Sequence, residues 1–328
     1  MTYHHRRPAK NSLRLYVLAA LGVPLALPAA AQSDVTLYGY IDVAMNKESG
    51  AALKMDRGLN NWLGVKGRED LGGGMAAVFN LQTRFKIDTG ALERDQTFFQ
   101  GESTVGLSDA TLGTVNVGRK LSPLWATIWP YEPWFNSGFN ASLASYQAGK
   151  YSTDGVTDAA IGYADYSRIS NGLYYDSPVM RGWQVSVAGQ VERNPDPGTR
   201  ARTAGTSVTY ATAPLRATLS YEHNMRNEAI WFLGGAYDLG AIKLMGSYAR
   251  TSLVDYGVER MSVVAATYDI GANTWKAGYG RNVTTGAHKL SMGVSHALSK
   301  RTNVYADLYR EHVNTVLTGY AIGMNHAF

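Results

Sequence analysis

The sequence predicts an all-β chain, a 16-stranded antiparallel transmembrane β-barrel. Three observations carry that prediction. Stretches of strict apolar/polar alternation recur along the chain, as half-buried strands require. Seven short turn signals separate them, alternating with longer polar segments. Alternation also runs to the last residue: Tyr320, Ile322, Met324, His326 and Phe328 point one way, Ala321, Gly323, Asn325 and Ala327 the other. A strand that must be complete at the chain end is a strand that needs a partner on both edges, as barrel closure demands.

Taken from the start, residues 1–31 read as a secretory signal peptide. Arg6, Arg7, Lys10 and Arg14 precede an apolar stretch from Leu15 to Leu27, and Ala29-Ala30-Ala31 supplies a small-residue cleavage site. The apolar run is shorter than the ~20 residues of a spanning helix, and Pro24 and Pro28 flank or interrupt it. The expected cut follows Ala31, leaving 32–328 as one barrel domain without a linker or composition shift. The four basic residues of the signal leave a formal charge of +5 at about +1, which does not support a nucleic-acid partner.

Strands follow. In "VTLYGYIDVAM" (35–45), Tyr38, Tyr40 and Asp42 alternate with Leu37, Gly39, Ile41 and Val43. In "AVFNLQTRFKI" (77–87), Ala77, Phe79, Leu81, Thr83, Phe85 and Ile87 form one face, and Asn80, Gln82, Arg84 and Lys86 lie on the other. "WQVSVAGQ" (183–190) and "HKLSMGVSHAL" (288–298) repeat the pattern. Two faces of opposite polarity mean two different media. The short turns are "REDLGGG", "SDATLGT", "DSPVMRGW", "YATAPLR", "YDLGAIK", "YDIGANT" and "ALSKRTN"; seven hairpins plus a first and a last strand give sixteen. A soluble β-sandwich shares the alternation but has no need of a strand reaching the final residue. Between Lys120 and Arg168 lies a segment far longer than ordinary connections, and its aromatic content argues against disorder.

Enzyme chemistry has little to stand on. With no cysteine, thiolate metal sites and disulfides are excluded. The histidines show no paired metal spacing, and no G-x-S-x-G is present. "DLGGGM" lacks the Lys-Ser/Thr and helix of a phosphate loop. No catalytic residue, metal or cofactor is expected.

Several segments together resemble the general porins of Gram-negative bacteria, the β-proteobacterial type in particular. They are "SDVTLYGYIDVA", "LGVKGREDLGGGMAAVFNLQ" (63–82), "VGLSDATLGTVNVGRKLSPL" (105–124), "GLYYDSP" (172–178), "ALSKRTNVYADLY" (297–309) and the terminal aromatic strand, in the family's order over the whole mature chain. The resemblance implies an outer-membrane homotrimer whose third extracellular loop folds inward and narrows a water-filled pore for ions and small hydrophilic solutes. It also implies contact with outer-membrane lipid and lipopolysaccharide. Phe328 resembles the terminal signal read by the barrel-assembly machinery. A non-conducting barrel acting as adhesin or receptor is the alternative.

A pore works through size and field. The apolar face of 77–87 directs Asn80, Gln82, Arg84 and Lys86 to the lumen, because an arginine or lysine facing mid-bilayer lipid costs ~2–4 kcal/mol; Lys86 is equally readable as a solvated rim residue. Tyr38, Tyr40 and Asp42 share the lumen face of the first strand, where wall filling explains them as well as a solute site does. By resemblance, Arg119 and Lys120 stand where the chain enters the inward loop and Arg168 where it leaves. Trp125, Trp129, Trp134 and Glu132 belong to that loop, with Asp154, Asp158 and Asp165 as later acids. Where the family commonly has an arginine before the "LG" of the second strand, this chain has Trp62. A basic throat with weak anion preference is the expectation.

Overall fold

The computed structural model describes residues 33–94, 97–135, 141–156, 166–192 and 201–328. The expected signal segment, Asp158 and Asp165 lie outside the described residues. Sixteen long antiparallel strands close into a barrel, and one three-residue strand folds back on the first. They are β1 (Ser33–Glu48), the short β2 (Lys54–Asp56), β3 (Asn61–Gly72), β4 (Met75–Phe85), β5 (Glu102–Asp109), β6 (Gly113–Leu121), β7 (Arg168–Asp176), β8 (Trp183–Gln190) and β9 (Ala204–Thr212). The second half holds β10 (Leu215–His223), β11 (Ala229–Asp238), β12 (Ile242–Leu253), β13 (Gly257–Ile270), β14 (Asn273–Asn282), β15 (His288–Ala297), β16 (Thr302–His312) and β17 (Val316–Ala327).

Closure is the work of β1. Its first half, Ser33–Tyr40, pairs with β3, and its second half, Tyr40–Glu48, pairs with β17. The terminal residue completes that seam: the Gly39 and Phe328 backbones exchange N–H···O bonds of 3.0 and 3.1 Å. The Phe328 ring lies over Gly39, where a β-carbon would sit 2.3 Å from it. The last residue therefore has a partner, and the strand has no open edge.

All seven anticipated short turns join strand pairs at one end of the barrel. Among the described residues no helix is long and apolar enough to cross a membrane, but the outer surface is a band of exposed apolar side chains. Val105, Leu107, Leu233, Val264 and Ile322 are each more than half exposed. A water-soluble surface does not carry a patch of that extent; lipid-facing barrel strands do.

The described parts of the segment after β6, 122–135, 141–156 and 166–167, pack inside. Its helices α1 (Pro123–Thr127) and α2 (Ser145–Ala148) flank a 3-10 turn at Trp129–Tyr131. Ser122 caps α1 and Pro123 opens it, a favoured start for a helix. Leu124, Trp125, Ile128, Tyr131 and Tyr151 bury themselves against Ile230, Phe232, Met245 and Met261 of the inner wall. Glycines on that wall make room: a β-carbon at Gly234 would lie 2.4 Å from the Tyr131 ring, and one at Gly280 2.6 Å from Tyr146.

Candidate functional site

Three sets of residues converge on the lumen: the wall from β1 to β7, two connections from that half, and the edge of the inward segment. On the wall, Tyr40, Trp62 and Arg84 occupy one rung across β1, β3 and β4. The Tyr40 and Trp62 rings stack at 4.8 Å. One turn lower, Tyr38 donates to Asn80 (2.7 Å) and Gln82 donates to Tyr38 (3.2 Å), so the expected polar column of β4 and the lumen face of β1 meet. Asp42 is buried and accepts hydrogen bonds from the Tyr305 hydroxyl (2.6 Å) and the Leu59 amide (2.9 Å). It ties the first connection to the wall and does not stand free in the pore.

The basic residues divide by environment. Arg84 is 5% exposed and faces Glu93 at 3.5 Å; the same carboxylate also takes the Arg57 guanidinium. Gln100 donates to the Arg84 carbonyl (2.7 Å), and its own carbonyl accepts from Arg119 (3.2 Å). Gly118, at φ +123°, starts a register shift in the β6–β7 ladder, a bulge of the kind that re-aims a side chain. Here Arg119 turns to the Ser170 hydroxyl (2.6 Å). Arg168 is 4% exposed and held by the Gly101 carbonyl and by Ser167. Arg84, Arg119 and Arg168 are close enough to act on one another's charge. Lys120 is ion-paired with Asp176 at 2.9 Å, and Lys86 is exposed one residue beyond β4. Arg57, Glu93 and Gln100 were not singled out in the sequence. They sit in connections, where no periodicity gives a side chain a direction; the acid Glu93 amid Arg84, Lys86 and Arg94 was the available signal.

Opposite the wall stands Pro130–Phe135. A passage of about 500 Å³ separates Tyr40 and Asp42 from Trp134 and Phe135. Trp134 packs beside Val263 and donates to Asp307 of β16 at 2.9 Å. Glu132, the anticipated acidic counterpart, is buried: it accepts from the Trp134 amide (3.0 Å), the Ser142 hydroxyl (3.3 Å) and the Leu143 amide (3.5 Å). Its charge staples the loop to itself. Asp154 is likewise occupied, accepting from the Ser152 hydroxyl and the Val156 amide. Trp125 packs edge-on against Tyr166 in the wall-facing layer, and Trp129 is half-buried. Tyr151 donates to Glu222 (3.3 Å); burial, with Glu222 adding to it, holds that hydroxyl well above its ordinary pKa, so it remains a neutral donor.

The Gram-negative porin family model matches residues 15–315. The chain belongs to that family. An outer membrane porin protein of Delftia acidovorans is 29% identical, over 91% of this chain and 88% of the relative. Among solved structures, an anion-selective porin from Comamonas acidovorans superposes with a TM-score of 0.78 at 23% identity, covering 90% of this chain and 100% of that one. A trimer form of an outer membrane protein from Vibrio cholerae gives a TM-score of 0.67 at 13% identity, covering 90% and 99%. The chain is thus a porin of the outer membrane of a Gram-negative bacterium, a water-filled channel for ions and small hydrophilic solutes. The end bearing the longer connections is the extracellular rim.

Proposed function

We propose that this porin is a homotrimeric, weakly anion-preferring channel whose throat lies between the Arg57–Arg84–Arg119 wall and the Trp134–Phe135 edge of the inward loop. One observation carries the reading. Arg57, Arg84, Arg119 and Arg168 gather near two carboxylates, Glu93 and Glu102, while the loop acids Glu132 and Asp154 are turned to local amides and hydroxyls. A net positive field across a narrow aqueous gap favours anions over distances of about a Debye length, ~8–10 Å near physiological salt. The Comamonas and Vibrio structures support anion preference and a trimer as the family's precedent. Passive conduction, rather than enzymatic turnover, is the activity. Outer-membrane lipid and lipopolysaccharide face the apolar belt, and the barrel-assembly machinery reads the terminal strand. The signal segment ends after Ala31, so mass spectrometry of the outer-membrane protein should find Gln32 at its start.

The test is a planar bilayer with a salt gradient. Wild type conducts with a reversal potential on the anion side. Arg57→Gln with Arg84→Gln and Arg119→Gln moves it toward cations, most at low salt, whereas Trp62→Arg moves it further toward anions. An unchanged reversal potential in the triple variant places the throat elsewhere, and absence of conductance in wild type favours the adhesin alternative.

A further inference from the structure

Buried carboxylates around the inward segment end on donors. Glu222 accepts from the Thr153 hydroxyl (2.6 Å), Glu311 from the Tyr146 hydroxyl (2.9 Å) and Glu132 from the Trp134 amide (3.0 Å). Glu259 of β13 differs. It is 3% exposed, yet among the described residues its Oε2 has no hydrogen-bond partner and its carboxylate no counter-charge. Parity places it inside the barrel, on the face it shares with Met261 and Val263, both packed against the inward segment. The backbone of that segment passes close over it: a β-carbon at Gly149, just past α2 and at φ +60°, would lie 2.9 Å from Oε2. A carboxylate withdrawn from bulk water without a partner is costly.

Glu259 lines a cavity of about 460 Å³ between α2 and strands β13–β16. That volume lies within the ~300–1,000 Å³ of small-ligand pockets. Its outer margin is formed by Thr285, Val313 and Asn314 at the short rim turns, all exposed, so a solute reaches it from the extracellular side. The other charged groups along it are engaged. Lys289 pairs with Glu311 at 3.6 Å, and the Lys150 ammonium is turned onto the Tyr256 ring, 3.6 Å from its centre. Glu259 is left as a negative charge to be matched. Tyr146 adds an aromatic ring, which attracts a cation, and Ala144 and Ala287 add apolar contact for a carbon body. A calcium ion takes about six to eight oxygens, and among the described residues no three metal-ligating side chains gather. The lining therefore suits an organic cation better than a bare ion.

We propose that this cavity is a binding site for the primary ammonium group of a small organic cation, with Glu259 as the anchoring anion and the Tyr146 ring beside it. The site lies outside the throat, and its occupancy does not depend on the throat's ion preference. A channel that favours anions can in this way hold an ammonium-bearing solute in its outer vestibule.

The probe is 2-phenylethylammonium, titrated in detergent into the full-length mature protein and followed by isothermal calorimetry. The neutral 2-phenylethanol and the anionic 3-phenylpropionate are parallel arms. Wild type should bind the ammonium saturably, roughly tenfold or more tighter than the alcohol, as a charge-assisted hydrogen bond to a desolvated carboxylate requires. The anion should bind no tighter than the alcohol. Glu259→Gln should lose the tenfold preference, while the charge-retaining Glu259→Asp keeps part of it. Equal affinity for ammonium and alcohol in wild type overturns the site, a readout that stands even if the Gln variant does not assemble. So does an unchanged preference in Glu259→Gln, which puts the cation on another acid. Displacement of the ammonium by equimolar sodium chloride overturns it too, because any cation would then serve. Reversal potentials of the same preparations report on the throat separately.

Discussion

The half of the barrel from β1 to β7 and the half from β9 to β16 differ in what they do with their inner faces. The first is polar and charged inside: Tyr38, Asn80, Gln82, Arg119 and the buried Arg84, supported by Arg57 and Glu93 from long connections. The second carries an apolar patch on the inner face of β11 to β13, apolar there inside as well as outside, beside inward polar residues such as Lys276 and Asp307. Ile230, Phe232, Met245, Ala249 and Met261 line the lumen side of strands whose outer faces carry Trp231, Leu233, Tyr248 and Val264. Water does not meet that patch, because the inward segment covers it. Under the proposed reading, the throat is asymmetric by division of labour: one wall supplies the field, the other anchors the loop that brings the opposite edge close.

Breaking the anchor should have the largest effect. Gly234 and Gly280 leave slots for the Tyr131 and Tyr146 rings, and a leucine at either site collides with a ring already buried. Overpacking of this kind costs ~1–3 kcal/mol. Gly234→Leu with Gly280→Leu should therefore release the loop from the wall. Single-channel conductance should increase about twofold or more as the constriction opens, with loss of anion preference. Conductance unchanged in a correctly folded trimer would mean that the loop does not set the pore size.

The same division decides what could be read in advance. Strands with water on one side and lipid on the other announce themselves by period two, as 77–87 does, and its polar column lies in the lumen. In β11, "AIWFLGGAYD", both faces are apolar or small, so the alternation disappears although the strand does not. Its polarity was set by a loop about a hundred residues earlier in the chain, which no local pattern encodes. The charges divide likewise. Arg84 was legible because its strand fixed its direction. Arg119 depended on a bulge at Gly118, and Arg57 and Glu93 on loops folding back. Glu132 is on the expected loop, but neighbouring amides capture its carboxylate, a contact invisible to residue type and spacing.

A second break targets the seam common to both halves. Gly39 has no side chain, so the Phe328 ring can lie across it while the two backbones pair. Gly39→Val should displace the ring without removing it; deleting Phe328 should remove both ring and pairing. Outer-membrane levels should fall by several-fold for the deletion and less for Gly39→Val, with assembled trimers of either conducting normally. Normal levels of the deleted chain would show that closure does not depend on the terminal residue.

The smallest effect sharpens the comparison within the polar wall itself. Lys86 has the same alternation as Arg84, and periodicity alone gives the two the same role. The structure separates them: β4 ends at Phe85, and the Lys86 amide bonds to the Ala91 carbonyl (2.8 Å) in a turn whose side chain is open to water. Arg84, by contrast, is buried against Glu93 beside the throat. A solvated charge at the rim is screened within a Debye length of ~8 Å at physiological ionic strength. Lys86→Gln should thus leave the reversal potential unchanged at that salt and shift it slightly toward cations only when salt is lowered tenfold or so, where the screening length approaches ~30 Å. A shift as large at physiological salt as that of Arg119→Gln would put Lys86 in the throat, and the field-bearing wall would then extend past the end of β4.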